Sequence, residues 1–214
     1  SNKGKEVVFG TIGDGSTSEG IFLEAINAMV VLQIPVVMSV WDDGHAISVP
    51  VEKQTTKGSI SEALKGFAKE GASNGIEIIK VRGWNYPELC AAYDKAAKLA
   101  RETHTPVLVH VIELTQPQGH STSGSHERYK SKDRLAWEKE YDCTLQFKKW
   151  ILENNWATEE ELDEVHKNCK KSVKEGRNAA WENYIKPLKL ELAEVLSMID
   201  TIASKSRSRT FIKK

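Results

Sequence analysis

The sequence predicts an α/β fold, a doubly wound parallel sheet flanked by helices with a helical C-terminal extension. Three observations carry this. Short apolar, β-branched runs alternate with amphipathic helical stretches as far as Leu114. Two of those runs end in polar turns rich in Gly and Asp, as strands do where a parallel sheet presents its ligand-binding edge. Beyond Lys132 the pattern is helical to the end.

The elements follow in order. Val7 to Ile12 is a β-branched run, read as the first core strand, that ends in Gly-Asp-Gly. Thr17 or Ser18 can cap a helix from about Glu19 to Gln33, with Ile21, Phe22, Ala25, Ile26, Met29 and Leu32 at helical spacing. Pro35 blocks its extension, and Val36 to Trp41 reads as a fully buried strand. Ser59 to Glu70 is predicted helical, and Gly71 and Gly75 bracket a turn before the strand Ile76 to Val81. Tyr86 to Thr103 is an amphipathic helix and Pro106 to Leu114 a fourth strand. Gln116 to Lys132 is polar and aperiodic, and a loop of that length within a domain is a functional candidate. Asp133 to Asn154 reads as one helix. Thr158-Glu159-Glu160-Glu161 makes a capping box for the next, and a further helix from Trp181 to Ser204 is kinked or restarted at Pro187. Two regions result: an α/β core over 1–132, with the N-terminal part of its domain missing, and a helical extension over 133–214.

Of the 214 residues 40% are hydrophobic, enough to bury a sizeable core. Thirty Lys and Arg balance thirty Asp and Glu, which supplies no attraction for nucleic acid or an acidic membrane. Only Lys205 to Lys214 is one-sidedly basic, as a solvated tail or the start of a linker. Cys90, Cys143 and Cys169 are an odd number at wide spacings, which points to reduced thiols. No apolar run reaches the roughly 18 residues of a membrane span, and no signal peptide precedes the first strand, so a cytoplasmic location is expected. A domain that opens almost at once on a strand reads as a piece of something longer.

Candidate chemistry lies in two turns. Gly13-Asp14-Gly15-Ser16 sits between a strand and a helix, where glycines permit close backbone approach and the helix start favours a phosphate. Asp14 is placed to hold a hard cation beside that phosphate, although Gly-Asp-Gly is also common as a merely structural turn. Asp42-Asp43-Gly44-His45 follows the next apolar strand. If the two strands are neighbours, Asp14 and Asp43 converge on one cation, with a carbonyl near His45 as a third oxygen; with a diphosphate this set suits Mg²⁺. His104, His110 and His166 read as surface or strand packing, and Trp84, Trp137, Trp150, Trp156 and Trp181 as core and helix-interface anchors.

The stretch GDGSTSEGIFLEAINAMVVLQIPVVMSVWDDGHAISVP resembles the cofactor motif of the thiamin-diphosphate-dependent 2-oxo acid dehydrogenases. That motif runs from Gly-Asp-Gly through about thirty residues to Asn-Asn, Gly, an aromatic and Ala-Ile-Ser. The resemblance implies that Asp14, Asp43 and the carbonyl of His45 bind the metal, and that Gly13, Gly15 and Ser16 line the diphosphate. Gly119-His120-Ser121-Thr122-Ser123 is similar to a segment of the branched-chain (2-oxoisovalerate) α subunit. It implies that His120 reaches the diphosphate and serves the catalytic site; His126 and Arg128 in the same loop read either as helpers toward phosphate or substrate or as part of a solvated loop. Trp156-Ala-Thr-Glu-Glu-Glu-Leu resembles the helical end of such α subunits. The family more often has asparagines at Asp42 and Asp43 and tyrosine at His45; pyruvate dehydrogenases more often place histidine at Gln118. Aspartate remains an oxygen ligand, while the added charge tightens a metal and repels a diphosphate.

The implied function is decarboxylation of a branched-chain 2-oxo acid with thiamin diphosphate and Mg²⁺, the acyl group passing to a lipoyl-bearing acyltransferase component. A β-subunit region, separate or fused, carries the pyrimidine-binding half and the activating glutamate. The implied assembly is a homo- or hetero-oligomer without nucleic acid or membrane, and the isolated chain is expected to be inactive. A pyruvate or acetoin dehydrogenase α subunit is the alternative within the family; a non-catalytic assembly module of the same fold is the alternative outside catalysis.

Overall fold

A computed structural model describes residues 4–120, 125–208 and 211. Among the described residues six strands and six α-helices follow in order: β1 (Val8–Gly13), α1 (Gly20–Leu32), β2 (Val36–Trp41), β3 (His45–Ala46), β4 (Val49–Pro50), α2 (Ile60–Ala63), β5 (Glu77–Arg82), α3 (Tyr86–Thr103), β6 (Val107–Ile112), α4 (Lys132–Glu140), α5 (Cys143–Glu153) and α6 (Glu159–Lys205). The four longer strands form one parallel sheet in the order β1-β2-β6-β5, and β3 and β4 form a small antiparallel pair.

Side-chain alternation along the strands divides the core between the two faces of the sheet. Val36, Val40 and Leu108 join Phe22, Ile26, Met29 and Val30 of α1 and Ile60 of α2 on one face. On the other, Val37, Val81, Val107, Val109 and Val111 meet Ala92, Ala96 and Ala100, the small-residue stripe of α3. Helices on both faces of a parallel sheet are the doubly wound arrangement expected from the sequence.

Several expectations are corrected. β1 lies at the sheet edge and not in the core, with Val8 59% and Phe9 58% exposed. Within α1 the stripe is shifted: Ile21 and Leu32 are exposed and Val30 is buried. Neither Thr17 nor Ser18 caps α1; both belong to a 3₁₀ turn, Gly15–Ser18, and Glu19 precedes the helix without a side-chain cap. The helix expected from Ser59 to Glu70 is one turn of α2 followed by the 3₁₀ turn Lys65–Phe67, with Ile60, Leu64 and Phe67 packed into the core cluster that also holds α1. The single helix expected from Asp133 breaks at Tyr141–Asp142, where the Asp142 side chain caps α5 by accepting from the Leu145 N–H. The capping box at Thr158 and Glu161 is present, but α6 continues through Pro187 as one helix of 47 residues. Trp156 and Trp181 are exposed, whereas Trp84 and Trp137 pack on Tyr141, and Trp150 on Tyr86 and Phe147.

The chain divides into two compact units, Ser1–Trp156 and Ala157–Lys214, so α4 and α5 belong with the sheet. Among the described residues no helix is long and apolar enough to cross a membrane, and Cys90, Cys143 and Cys169 are free thiols.

Candidate functional site

β1 and β2 are paired in parallel register, Gly13 beside Trp41, so the turns that follow them emerge side by side at the C-terminal edge of the sheet. The Asp14 N–H donates to the Trp41 carbonyl at 3.0 Å, binding the two turns where they leave the strands. The first turn is held from within by Thr17, whose hydroxyl and N–H both donate to the Asp14 carbonyl, at 2.6 and 3.1 Å. Gln54 adds its amide to the same carbonyl at 3.0 Å. Gly15 is required by close approach: a Cβ there would stand 2.8 Å from the Ala46 Cβ on β3.

In the second turn each aspartate closes a local ring. Asp42 Oδ1 accepts from the Gly44 N–H at 2.8 Å, and Asp43 Oδ1 from the His45 N–H at 3.0 Å. Gly44 takes the left-handed conformation this requires, with φ +79°. Asp14, Asp42 and Asp43 are all buried. The remaining oxygens divide them by role. Asp42 Oδ2 accepts from His110 Nε2 at 2.8 Å, whereas Asp14 Oδ2 and Asp43 Oδ2 are buried without a hydrogen-bond partner. Burial, and next the charges of Asp42 and Asp43, push the Asp14 carboxyl up to about 7, against the lowering effect of the Gly15 and Asp14 N–H groups.

His120 reaches the same place. Its Nε2 lies 3.6 Å from Asp43 Oδ2, beyond hydrogen-bonding distance but close enough for a shared ligand. It is carried by a tight turn at Gly119, whose φ of +65° and contact with the His126 ring leave no room for a Cβ. His126 follows in the 3₁₀ turn Ser125–Arg128, and Arg128 is exposed. Ser121, Thr122 and Ser123 of the motif lie outside the described residues. Asp14, Gly15, Ser16, Asp43, His45 and His120 are thus gathered at one edge of the sheet.

The arrangement suits a hard cation. Two buried carboxylate oxygens without donors, each repelling the other's charge, are relieved by a divalent ion or, at Asp14, by a proton. Among the described residues no group of three or more His, Cys, Asp or Glu side chains is set to hold a metal. The expected set is compatible with this, since its third oxygen is a main-chain carbonyl and the remainder would come from a ligand.

The dehydrogenase E1 component family model matches residues 1–188. The chain belongs to this family. Relatives include the pyruvate dehydrogenase E1 component subunit alpha of Rickettsia bellii (strain RML369-C), 29% identical over 81% of this chain and 51% of the relative. The mitochondrial 2-oxoisovalerate dehydrogenase subunit alpha 1 of Arabidopsis thaliana is 31% identical over 80% of this chain and 35% of its own length. The mitochondrial 2-oxoisovalerate dehydrogenase subunit alpha of Caenorhabditis elegans is 34% identical over 75% and 36%. The chain therefore spans about half or less of the length of these relatives.

Around this candidate site the structure adds residues that sequence reasoning missed. Arg134 donates to the Asp43 carbonyl at 2.6 Å and to Glu138 at 2.8 Å, and Glu138 also receives the buried Lys130 ammonium at 2.8 Å. His110, read as strand packing, is 1% exposed and bonded to both Asp42 and Ser61. The i, i+4 spacing of Arg134 and Glu138 was visible in the sequence, but the target carbonyl, 91 residues away, was not.

Proposed function

We propose that this chain is the metal- and diphosphate-binding region of the α component of a thiamin-diphosphate-dependent 2-oxo acid dehydrogenase. The observation that carries the reading is the pair of buried, unpartnered oxygens, Asp14 Oδ2 and Asp43 Oδ2, on adjacent turns at the C-terminal edge of a parallel sheet. In this reading Asp14, Asp43 and the His45 carbonyl hold Mg²⁺. Gly13, Gly15 and Ser16 present the first turn to the diphosphate, and His120 reaches it from the polar loop. Thiamin diphosphate, when bound, supplies the electron sink that decarboxylation needs. This chain's residues anchor and orient its diphosphate end: the carboxylates balance the metal's charge, and Gln54 and Arg134 fix the backbone of the two turns.

The charge of Asp42 still bears on Asp14, but Asp42 offers no free oxygen to a metal. Its carboxylate is engaged by His110 and Gly44, and Asp43 is the residue with a free oxygen.

We take the substrate to be a branched-chain 2-oxo acid, on the similarity of the segment around His120 to the 2-oxoisovalerate type. Relatives of both the pyruvate and the 2-oxoisovalerate type support the coarser reading equally. The reacting end of the cofactor is assigned to a β region and the acyl acceptor to a lipoyl-bearing component, so the chain alone is expected not to turn over. Calorimetry with Mg²⁺ and thiamin diphosphate tests the reading: binding that disappears in Asp14→Ala supports it. Absence of binding, both to this chain and to its assembly with a β subunit, would favour a non-catalytic module. Substrate profiling of the assembled enzyme separates branched-chain from pyruvate activity.

A further inference from the structure

A buried polar chain runs through the sheet beside the metal site. His110 lies on β6, next to Val40 of β2, and side-chain alternation puts it on the face that carries Leu108 and α2. Its Nε2 faces Asp42 Oδ2 at 2.8 Å, and its Nδ1 is hydrogen-bonded to the Ser61 hydroxyl at the start of α2. Exposures of 1% for His110, 6% for Ser61 and 8% for Asp42 seal the chain from solvent. Ser–His–Asp in this order has the composition of a nucleophilic triad, but a hydroxyl so enclosed has no access to a substrate. The chain must act on structure.

Two further contacts show on what. Asp42 passes the constraint to its own turn, since its other oxygen accepts from the Gly44 N–H, and the turn formed in this way carries Asp43. At the opposite end, Ser61 belongs to the segment that leaves β4 at Pro50, and the same segment supplies Gln54, which donates to the Asp14 carbonyl at 3.0 Å. The Ser18 hydroxyl returns a bond to the Gln54 carbonyl. Residues 51–61 therefore hold the Asp14 turn through Gln54 and the Asp42–His45 turn through Ser61 and His110.

We propose that Ser61, His110 and Asp42 form a positioning relay that sets the Asp42–His45 turn, and with it Asp43, against the Asp14 turn. Asp42 can only accept, so His110 Nε2 carries the donated hydrogen, and Ser61 engages the other ring nitrogen and fixes the ring plane. The relay is the counterpart, one residue removed, of the outer contacts that orient metal ligands elsewhere. Its role toward a metal rests on the function proposed above; its role in shaping the turn does not.

The test uses the whole 214-residue chain in four forms: wild type, His110→Leu, His110→Gln and Ser61→Ala. Leucine keeps bulk without a donor; glutamine retains an N–H that can reach Asp42. In the metal-free chain, amide hydrogen exchange at Gly44 is compared with that of amides in α3. His110→Leu is expected to speed exchange at Gly44 about tenfold more than in α3, Ser61→Ala to do so to a smaller degree, and His110→Gln to restore most of the protection. Equal acceleration at both places, or none at Gly44, overturns the relay. If His110→Leu does not fold, Ser61→Ala against wild type decides by the same comparison. Titration with Mn²⁺ and thiamin diphosphate then reads the role toward metal: His110→Leu is expected to weaken binding ten- to a hundredfold, with recovery in His110→Gln. Wild-type affinity in His110→Leu would remove that role. Failure of the wild type to bind, both alone and in its assembly with a β subunit, would overturn the proposed function while leaving the exchange result to judge the relay.

Discussion

Asp14 and Asp42 are chemically identical, equally buried and at the ends of adjacent strands, yet their surroundings give them opposite parts. Asp42 has a donor for each oxygen, His110 and the Gly44 N–H. Asp14 keeps an oxygen without one and is held up at about 7 by burial and by its two acidic neighbours. The sign of the resulting linkage follows directly. A carboxyl whose folded value lies above its unfolded one, 3.8, favours the folded chain most at low pH and loses that contribution as pH rises toward 7. Asp14→Asn should therefore raise the melting temperature of the metal-free chain more at pH 8 than at pH 4; an equal change at the two would contradict the assignment. On the proposed function, Mg²⁺ and thiamin diphosphate should raise the melting temperature of the wild type, and the same variant should abolish that rise. At a hundred times the dissociation constant that rise corresponds to about 2.7 kcal/mol. Gly15→Ala, which places a methyl 2.8 Å from the Ala46 Cβ, should weaken metal binding by forcing the first turn away from β3; calorimetry measures it.

At the scale of elements, α4 is tied to the site by charge more than by apolar packing. Lys130 and Glu138 are buried against each other, and Arg134 joins Glu138 to the Asp43 carbonyl. Removing one partner of such a pair strands the other charge, so Glu138→Ala should cost about 3–5 kcal/mol in urea unfolding. Lys130→Met combined with Glu138→Leu should recover part of that loss, because the fully buried ammonium is gone and only the partly exposed Arg134 is left without its carboxylate. In α6, Pro187 lies inside a continuous helix of 47 residues, where it lacks the N–H that an interior position donates. Pro187→Ala should increase helical circular dichroism and raise the thermal midpoint of that signal, by up to about 3 kcal/mol of helix stability. These elements also mark where local reading succeeded. The span of α3 was legible to the residue because Asn85 caps it and its alanine stripe is strongly periodic. The boundaries around α2 and between α4 and α5 were not, because weak periodicity there leaves the ends to be decided by side chains from other segments.

Over the whole molecule, the order β1-β2-β6-β5 turns the sequence into a site. Placing β1 beside β2 brings the two acidic turns together, and placing β6 on the far side of β2 brings His110 to Asp42 and His120 beside Asp43. The sequence by itself determined the strand and helix alternation, the fold class and the two turns, since all of these depend on periodicity and on residue types a few positions apart. It also pointed to Asp14, Asp43 and His120 as candidates, because the motif around each is contiguous. Only the tertiary structure decided that Asp42 belongs to His110 and Ser61, that Gln54 and Arg134 hold the turn backbones, and that β1 is an edge. Those contacts join residues 40 to 91 positions apart, and no local pattern records which distant donor meets a buried acceptor.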